Sequence, residues 1–163
     1  MPSIMFPISR IEFSETAVRK GIDNRVPAEL AQNAERLSQF LGLLNQAVRD
    51  RYGLSMTTTS IYRCPTLNAE VGGSANSDHM RACAADTQVV HVRPFDLAIF
   101  YQSWLKAMKV DFEQVIVEFG AWAHIAIPES GKIGRKQFLT AVKTRTPEGK
   151  TKVEYLVGLQ DKS

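Results

Sequence analysis

The chain predicts an α+β fold, an antiparallel sheet that carries the functional site and packs against helices. Three observations predict it. Residues 27–52 and 94–109 carry apolar side chains at helical spacing. Short β-branched and apolar runs fill the later part of the chain, and residues 112–128 read as two strands joined tightly at Gly120. The 163 residues show no internal repeat and no low-complexity tract, so they read as a single domain over 1–163.

Taken in order, residues 11–24 read as a short helix opened by Ser14 and closed by Gly21. A serine hydroxyl can cap free amides, and glycine accepts the left-handed conformation of a C-terminal cap. Pro27 suits the first turn of a long helix reaching Tyr52, because its missing N–H has no partner there anyway. Leu30, Ala34, Leu37, Leu41, Leu44 and Val48 share one face of that helix, while Glu29, Arg36, Asn45 and Asp50 fall elsewhere. It is a core-packing helix without a catalytic role. Gly53 ends it.

Residues 56–60 form a β-branched, strand-like run leading into Ile61-Tyr62-Arg63-Cys64-Pro65. Residues 66–71 read as a brief helical turn, and 84–90 as a strand that would carry Asp86. The stretch 94–109 places Leu97, Tyr101, Trp104, Leu105 and Met108 in an amphipathic pattern. Strands are expected at 112–119 and 122–128, and again at 137–143 and 152–156 around the turn residues Pro147-Glu148-Gly149.

Composition excludes several classes. Hydrophobic content of 44% and charged content of 23% are those of an ordinary globular protein. A net charge of +3 and a pI near 8.9 favour an anionic surface such as a bacterial cell wall, but are too weak to argue for nucleic acid. No apolar run approaches the roughly 18 to 20 residues of a membrane span. Residues 1–7 lack a basic region followed by an apolar core, so no secretory signal is read and synthesis in the cytoplasm is expected. Cys64 and Cys83 are too few for a disulfide framework and read first as small buried thiols, with a disulfide or an extra metal ligand as alternatives.

The informative stretch is Gly72-Gly73-Ser74-Ala75-Asn76-Ser77-Asp78-His79, a loop of small residues that ends on a histidine, with Asp86 seven positions later. His124 follows much later, in an apolar segment behind Trp122. Two histidines and one aspartate suit zinc, whose catalytic sites keep a fourth position open for water. On spacing alone, a solvated loop histidine and an ordinary strand aspartate remain the plainer reading.

Several ordered motifs add to that spacing: Ser60-Ile61-Tyr62-Arg63, then Leu67-Asn68 and Val71-Gly72-Gly73-Ser74, then Ser77, His79 and Asp86, then Trp122 and His124. Together they resemble the zinc D-alanyl-D-alanine carboxypeptidase and L-alanyl-D-glutamate endopeptidase family, which includes vancomycin-resistance dipeptidases and many phage endolysins. Phe13-Ser14-Glu15 and Gly21-Ile22-Asp23-Asn24 look like its phage and bacterial cell-wall branch. The likeness runs over about residues 11–143. It implies a hedgehog/DD-peptidase-like fold, zinc held by His79, Asp86 and His124, and Arg63 paired with a substrate carboxylate or the developing oxyanion. It also places Ser77 and Trp122 beside the substrate; a turn-stabilising serine is an equal reading of the first, and a packed core tryptophan the plainer reading of the second.

Four positions depart from the family's usual pattern. Ile61 and Ala82 stand where glycine is usual, and Thr87 where an apolar residue follows the aspartate. Ala121 occupies the position, three before the last histidine, where many members carry an acidic general base. Glu118 is the nearest replacement. If 119–121 connect a hairpin, Glu118 pairs with Trp122 and lies diagonal to His124, within reach of a glutamate side chain. Asp78 and Asp111 are weaker alternatives, and His91 reads as a surface residue.

The resemblance therefore implies a monomeric zinc peptidase acting on peptidoglycan stem peptides, made without a signal and released by phage or prophage lysis. It leaves carboxypeptidase and endopeptidase action both open. The alternative is a catalytically inactive member that serves as a virion structural or cell-wall-binding protein.

Overall fold

A computed structural model describes residues 6–162. The reading of residues 1–7 as lacking a signal falls mostly on residues 1–5, which lie outside the described residues. Two short helices come first, α1 (Ile8–Glu12) and α2 (Glu15–Lys20). The single helix expected over 11–24 is thus broken at Phe13, whose backbone is extended. The break has a tertiary cause: Ile11 is fully buried and its carbonyl accepts from the Tyr62 amide at 3.0 Å, which a continuous helix would not allow. The caps fall where the sequence puts them. Ser14 accepts from the Ala17 amide, and Gly21 closes α2 at φ 65°.

Pro27 precedes a 3-10 turn over Ala28–Leu30, and the long helix α3 follows as Ala31–Tyr52. Its Leu37, Leu41, Leu44 and Val48 are fully buried, and Gly53 stops it in the left-handed region at φ 71°. Two further helices are α4 (Pro65–Glu70) and α5 (Pro94–Met108). No helix among the described residues is long and apolar enough to cross a membrane.

Six strands form one sheet: β1 (Thr57–Ser60), β2 (Ala84–Gln88), β3 (Gln114–Glu118), β4 (Trp122–Ala126), β5 (Gln137–Arg145) and β6 (Thr151–Val157). Their order is β1-β2-β4-β3-β5-β6. All neighbours are antiparallel except β3 and β5, so the expected antiparallel sheet carries one parallel pair. The topology supplies the reason. β4 ends where β3 begins, with Ala126 opposite Gln114, and β2 already takes the other edge of β4. A strand restarting at that end and taking the free edge of β3 must run parallel to it.

Alternation along the strands gives the sheet two faces. Val115, Val117, Ala123 and Ile125 are buried on one, in the same core as Leu97, Tyr101 and Leu105 of α5. Asp86, His124, Ile116 and Leu139 lie in cross-strand register on the other. That second face carries the polar cluster.

Candidate active site

The loop ahead of His79 is built to hold one imidazole. Ser77 caps the 3-10 turn Asp78–Arg81 by accepting from the His79 amide at 3.2 Å. Ala82 then turns in the left-handed region at φ 54°, which explains why glycine is favoured there. The chain next enters β2, where Asp86 pairs directly with His124 of β4. His79 Nε2 lies 3.2 Å and His124 Nδ1 3.0 Å from the same oxygen, Asp86 Oδ1. All three residues are buried, and one donor atom from each falls within 4.8 Å of the others.

This donor set fits a cation. The Ile61 carbonyl can only accept, so His79 Nδ1, at 2.5 Å from it, carries the proton. Burial lowers the His79 pKa, against the pull of Asp86, so the ring is neutral and Nε2 presents a lone pair. That lone pair faces a carboxylate oxygen. Two buried acceptors at such a distance are matched by a positive ion between them, and the hydrogen bond at the far nitrogen is the usual way a ligating imidazole is oriented.

The other groups are tuned by the same neighbours. Burial acts to raise the Asp86 pKa, but His79 and His124 hold it well below the usual carboxylate range. Burial works against a charged His124, yet its bond to Asp86 and the nearby Glu118 keep its pKa above the ordinary histidine value.

Arg63 follows β1 and directs Nη2 to 3.8 Å from Asp86 Oδ2, with its side chain only 13% exposed. Its Nε is buried and has no hydrogen-bond partner among the described residues. Burial lowers its pKa, but a guanidinium stays charged. Two asparagines that the sequence offers only as parts of the resembling motifs, with no role of their own, hold this segment. Asn24 donates to the carbonyls of Glu12 and Tyr62 at 2.8 and 3.0 Å and accepts from the Cys64 amide at 2.8 Å, gripping both sides of Arg63. Asn68 donates to the Ser74 carbonyl at 2.9 Å and so fixes the glycine loop. Gly73 packs so closely that a Cβ there would meet Asn68 Oδ1 at 2.1 Å and Arg63 Nη1 at 2.9 Å.

Glu118 pairs with Trp122 in the β3–β4 hairpin and brings Oε1 to 3.6 Å from His124 Nδ1. Burial raises its pKa, while His124 and Arg63 pull it down. The Trp122 indole N–H forms no well-aligned hydrogen bond among the described residues, yet it too steadies the Glu118 charge. Ala121 is exposed in the hairpin turn. The other carboxylates are engaged elsewhere: Asp78 pairs with Arg81, and Asp111 accepts from the Gly134 amide and faces Lys136. Exposed His91 takes no part.

A family model described as Peptidase M15 matches residues 5–126, a span that holds Arg63, His79, Asp86, Glu118 and His124. The chain belongs to the Peptidase M15 family. Peptidase M15 members are metal-dependent, and the His79–Asp86–His124 cluster is a set of side chains able to bind a metal. No curated relative matches the chain.

The remaining features of this Peptidase M15 domain are structural. Cys64 and Cys83 are free thiols: Cys64 Sγ caps α4, and Cys83 is buried, which pushes its thiol up to about 12. Thr87, where an apolar residue is usual, satisfies its buried hydroxyl on the Ala123 carbonyl and on Tyr101 Oη, both at 2.8 Å. A cleft of about 920 Å³ opens over the cluster.

Proposed function

We propose that the chain is a zinc peptidase that cleaves peptidoglycan stem peptides, acting as one domain over residues 1–163. His79, Asp86 and His124 hold the metal, Glu118 is the general base, and Arg63, Ser77 and Trp122 contact the substrate. When bound, zinc would supply a Lewis acid for the amide carbonyl and make water acidic enough to give up a proton near neutral pH. Glu118 takes that proton and returns it to the leaving amine. Arg63 presents its fork of donors to a substrate carboxylate or to the oxygen that gains charge. The resemblance to phage and cell-wall members supports a lysis role, after synthesis in the cytoplasm and release to the wall.

The observation that carries this reading is the position of Glu118, buried and 3.6 Å from His124 Nδ1 on the neighbouring strand. It supplies an acid beside the cluster although position 121 is alanine, and so favours catalysis over a purely wall-binding or virion role. Purified peptidoglycan digested with and without a chelator tests it. Fragments released only in the absence of chelator are expected; equal fragment patterns in both digests would remove the enzyme reading.

A further inference from the structure

The cleft does not stop at the metal cluster. It continues across the sheet onto β5 and β6, where Gln137, Leu139, Lys143, Val153 and Tyr155 line it. This hairpin lies beyond the matched residues 5–126, yet its register with β3 puts Leu139 in the same row as Ile116 and His124. Across the sheet the order is therefore Arg63 after β1, Asp86 on β2, His124 on β4, Glu118 on β3, Lys143 on β5 and Tyr155 on β6.

The hairpin wing has its own chemistry. Lys143 is exposed, and its ammonium sits 4.7 Å from the centroid of the Phe119 ring with no carboxylate beside it among the described residues. Phe119 in turn packs against Trp122 at 5.7 Å between ring centroids. On β6, Val153 and Tyr155 are 41% and 55% exposed on the cleft face, which sets apolar surface beside the Lys143 ammonium. Both sides of the cluster thus offer a positive charge, Arg63 on one and Lys143 on the other.

We infer that the β5–β6 hairpin is a substrate subsite in which Lys143 and Tyr155 take a carboxylate-bearing residue of the peptide, on the far side of the scissile bond from Arg63. The inference rests on the peptidase reading and narrows it to peptides longer than a dipeptide. The cluster straddles β2 and β4; β5 lies two strand spacings past β4, about 10 Å, and Lys143 lies four residues past Leu139 of the His124 row, about 13 Å along the strand, so the backbone diagonal is roughly 16 Å. Extended peptide covers about 3.5 Å per residue, so a chain crossing that diagonal needs about three to five residues on that side of the cut bond, the smaller number applying where the lysine side chain reaches toward it. A terminal dipeptide cannot fill the wing.

The test uses the zinc-loaded full chain and three probes: a stem pentapeptide with its free glutamyl carboxylate, the same peptide with that group amidated, and D-alanyl-D-alanine. Lys143→Gln should raise KM for the acidic peptide about 10-fold with kcat nearly unchanged, as expected for losing one charge-assisted contact. It should have no effect on the amidated peptide. The dipeptide should be a poor substrate, indifferent to the change. Lys152→Gln removes the same charge from the opposite face of β6 and controls for the overall field. Binding of the acidic peptide to Glu118→Gln, with and without Lys143→Gln, reads the same contact without turnover. Equal KM and equal binding in the Lys143 variant, or efficient dipeptide cleavage, would overturn the subsite. Failure of the wild type to cleave any probe would count against the peptidase reading, and the binding arm would still decide on Lys143.

Discussion

Glu118 Oε1 lies 3.6 Å from His124 Nδ1, although the two residues are not opposite each other in the sheet. Glu118 pairs with Trp122, and His124 pairs with Ile116, so the two are diagonal neighbours on one face. Glu118→Gln keeps the shape and removes the base. Its kcat should fall between about 10²- and 10⁴-fold, with zinc content by elemental analysis equal to that of the wild type. A variant retaining most of its turnover would place the base elsewhere.

Metal affinity should depend on pH through His124. Its pKa lies above the ordinary histidine value, and its Nδ1 must lose a proton before it can bind an ion. Protonation favours the empty site, so affinity falls as pH drops through this raised pKa, by about tenfold per unit below it. Competition with a chelating dye between about pH 6 and 8.5 should show the decline starting above the 6.5 of a free imidazole. A flat profile over that range would show that His124 carries no proton to displace.

Asn24→Ala should damage the site from a distance. The change leaves the Cys64 amide and the Tyr62 carbonyl without their partner on either side of Arg63. Chemical denaturation should report a loss of about 2–3 kcal/mol, and kcat/KM should fall further than zinc occupancy does. Wild-type stability in this variant would mean that the Arg63 segment is held by other contacts.

Gly73→Ala probes the close packing of the glycine loop on the guanidinium. The added methyl group must displace Asn68 or Arg63, since it would lie 2.1 Å from Asn68 Oδ1. The expected cost is about 1–3 kcal/mol in stability, with KM raised and metal affinity unchanged. A crystal structure or an unaltered KM showing Arg63 in place would contradict this.

What could be read from the sequence was local or strictly periodic. Ser14, Gly21 and Gly53 mark helix ends because caps are set by hydrogen bonds and φ values within a few residues. The nearness of Glu118 to His124 follows from hairpin register, which alternation and one tight turn determine. The parallel placement of β5 was hidden, because it depends on which sheet edge is still free once β2 has paired. The break at Phe13 was hidden too, since it serves a bond between Ile11 and Tyr62 far along the chain. The role of Asn24 was hidden although its motif was visible, because its three partners come together only in the folded chain.

The most direct measurement is hydrolysis of a stem peptide by the full chain after metal removal and stepwise return of zinc. Activity should be absent in the stripped protein, rise linearly, and reach its plateau at about one zinc per chain, with no recovery in His79→Ala. Undiminished hydrolysis by the stripped protein, or none after one zinc has bound per chain, would contradict a catalytic metal held by His79, Asp86 and His124.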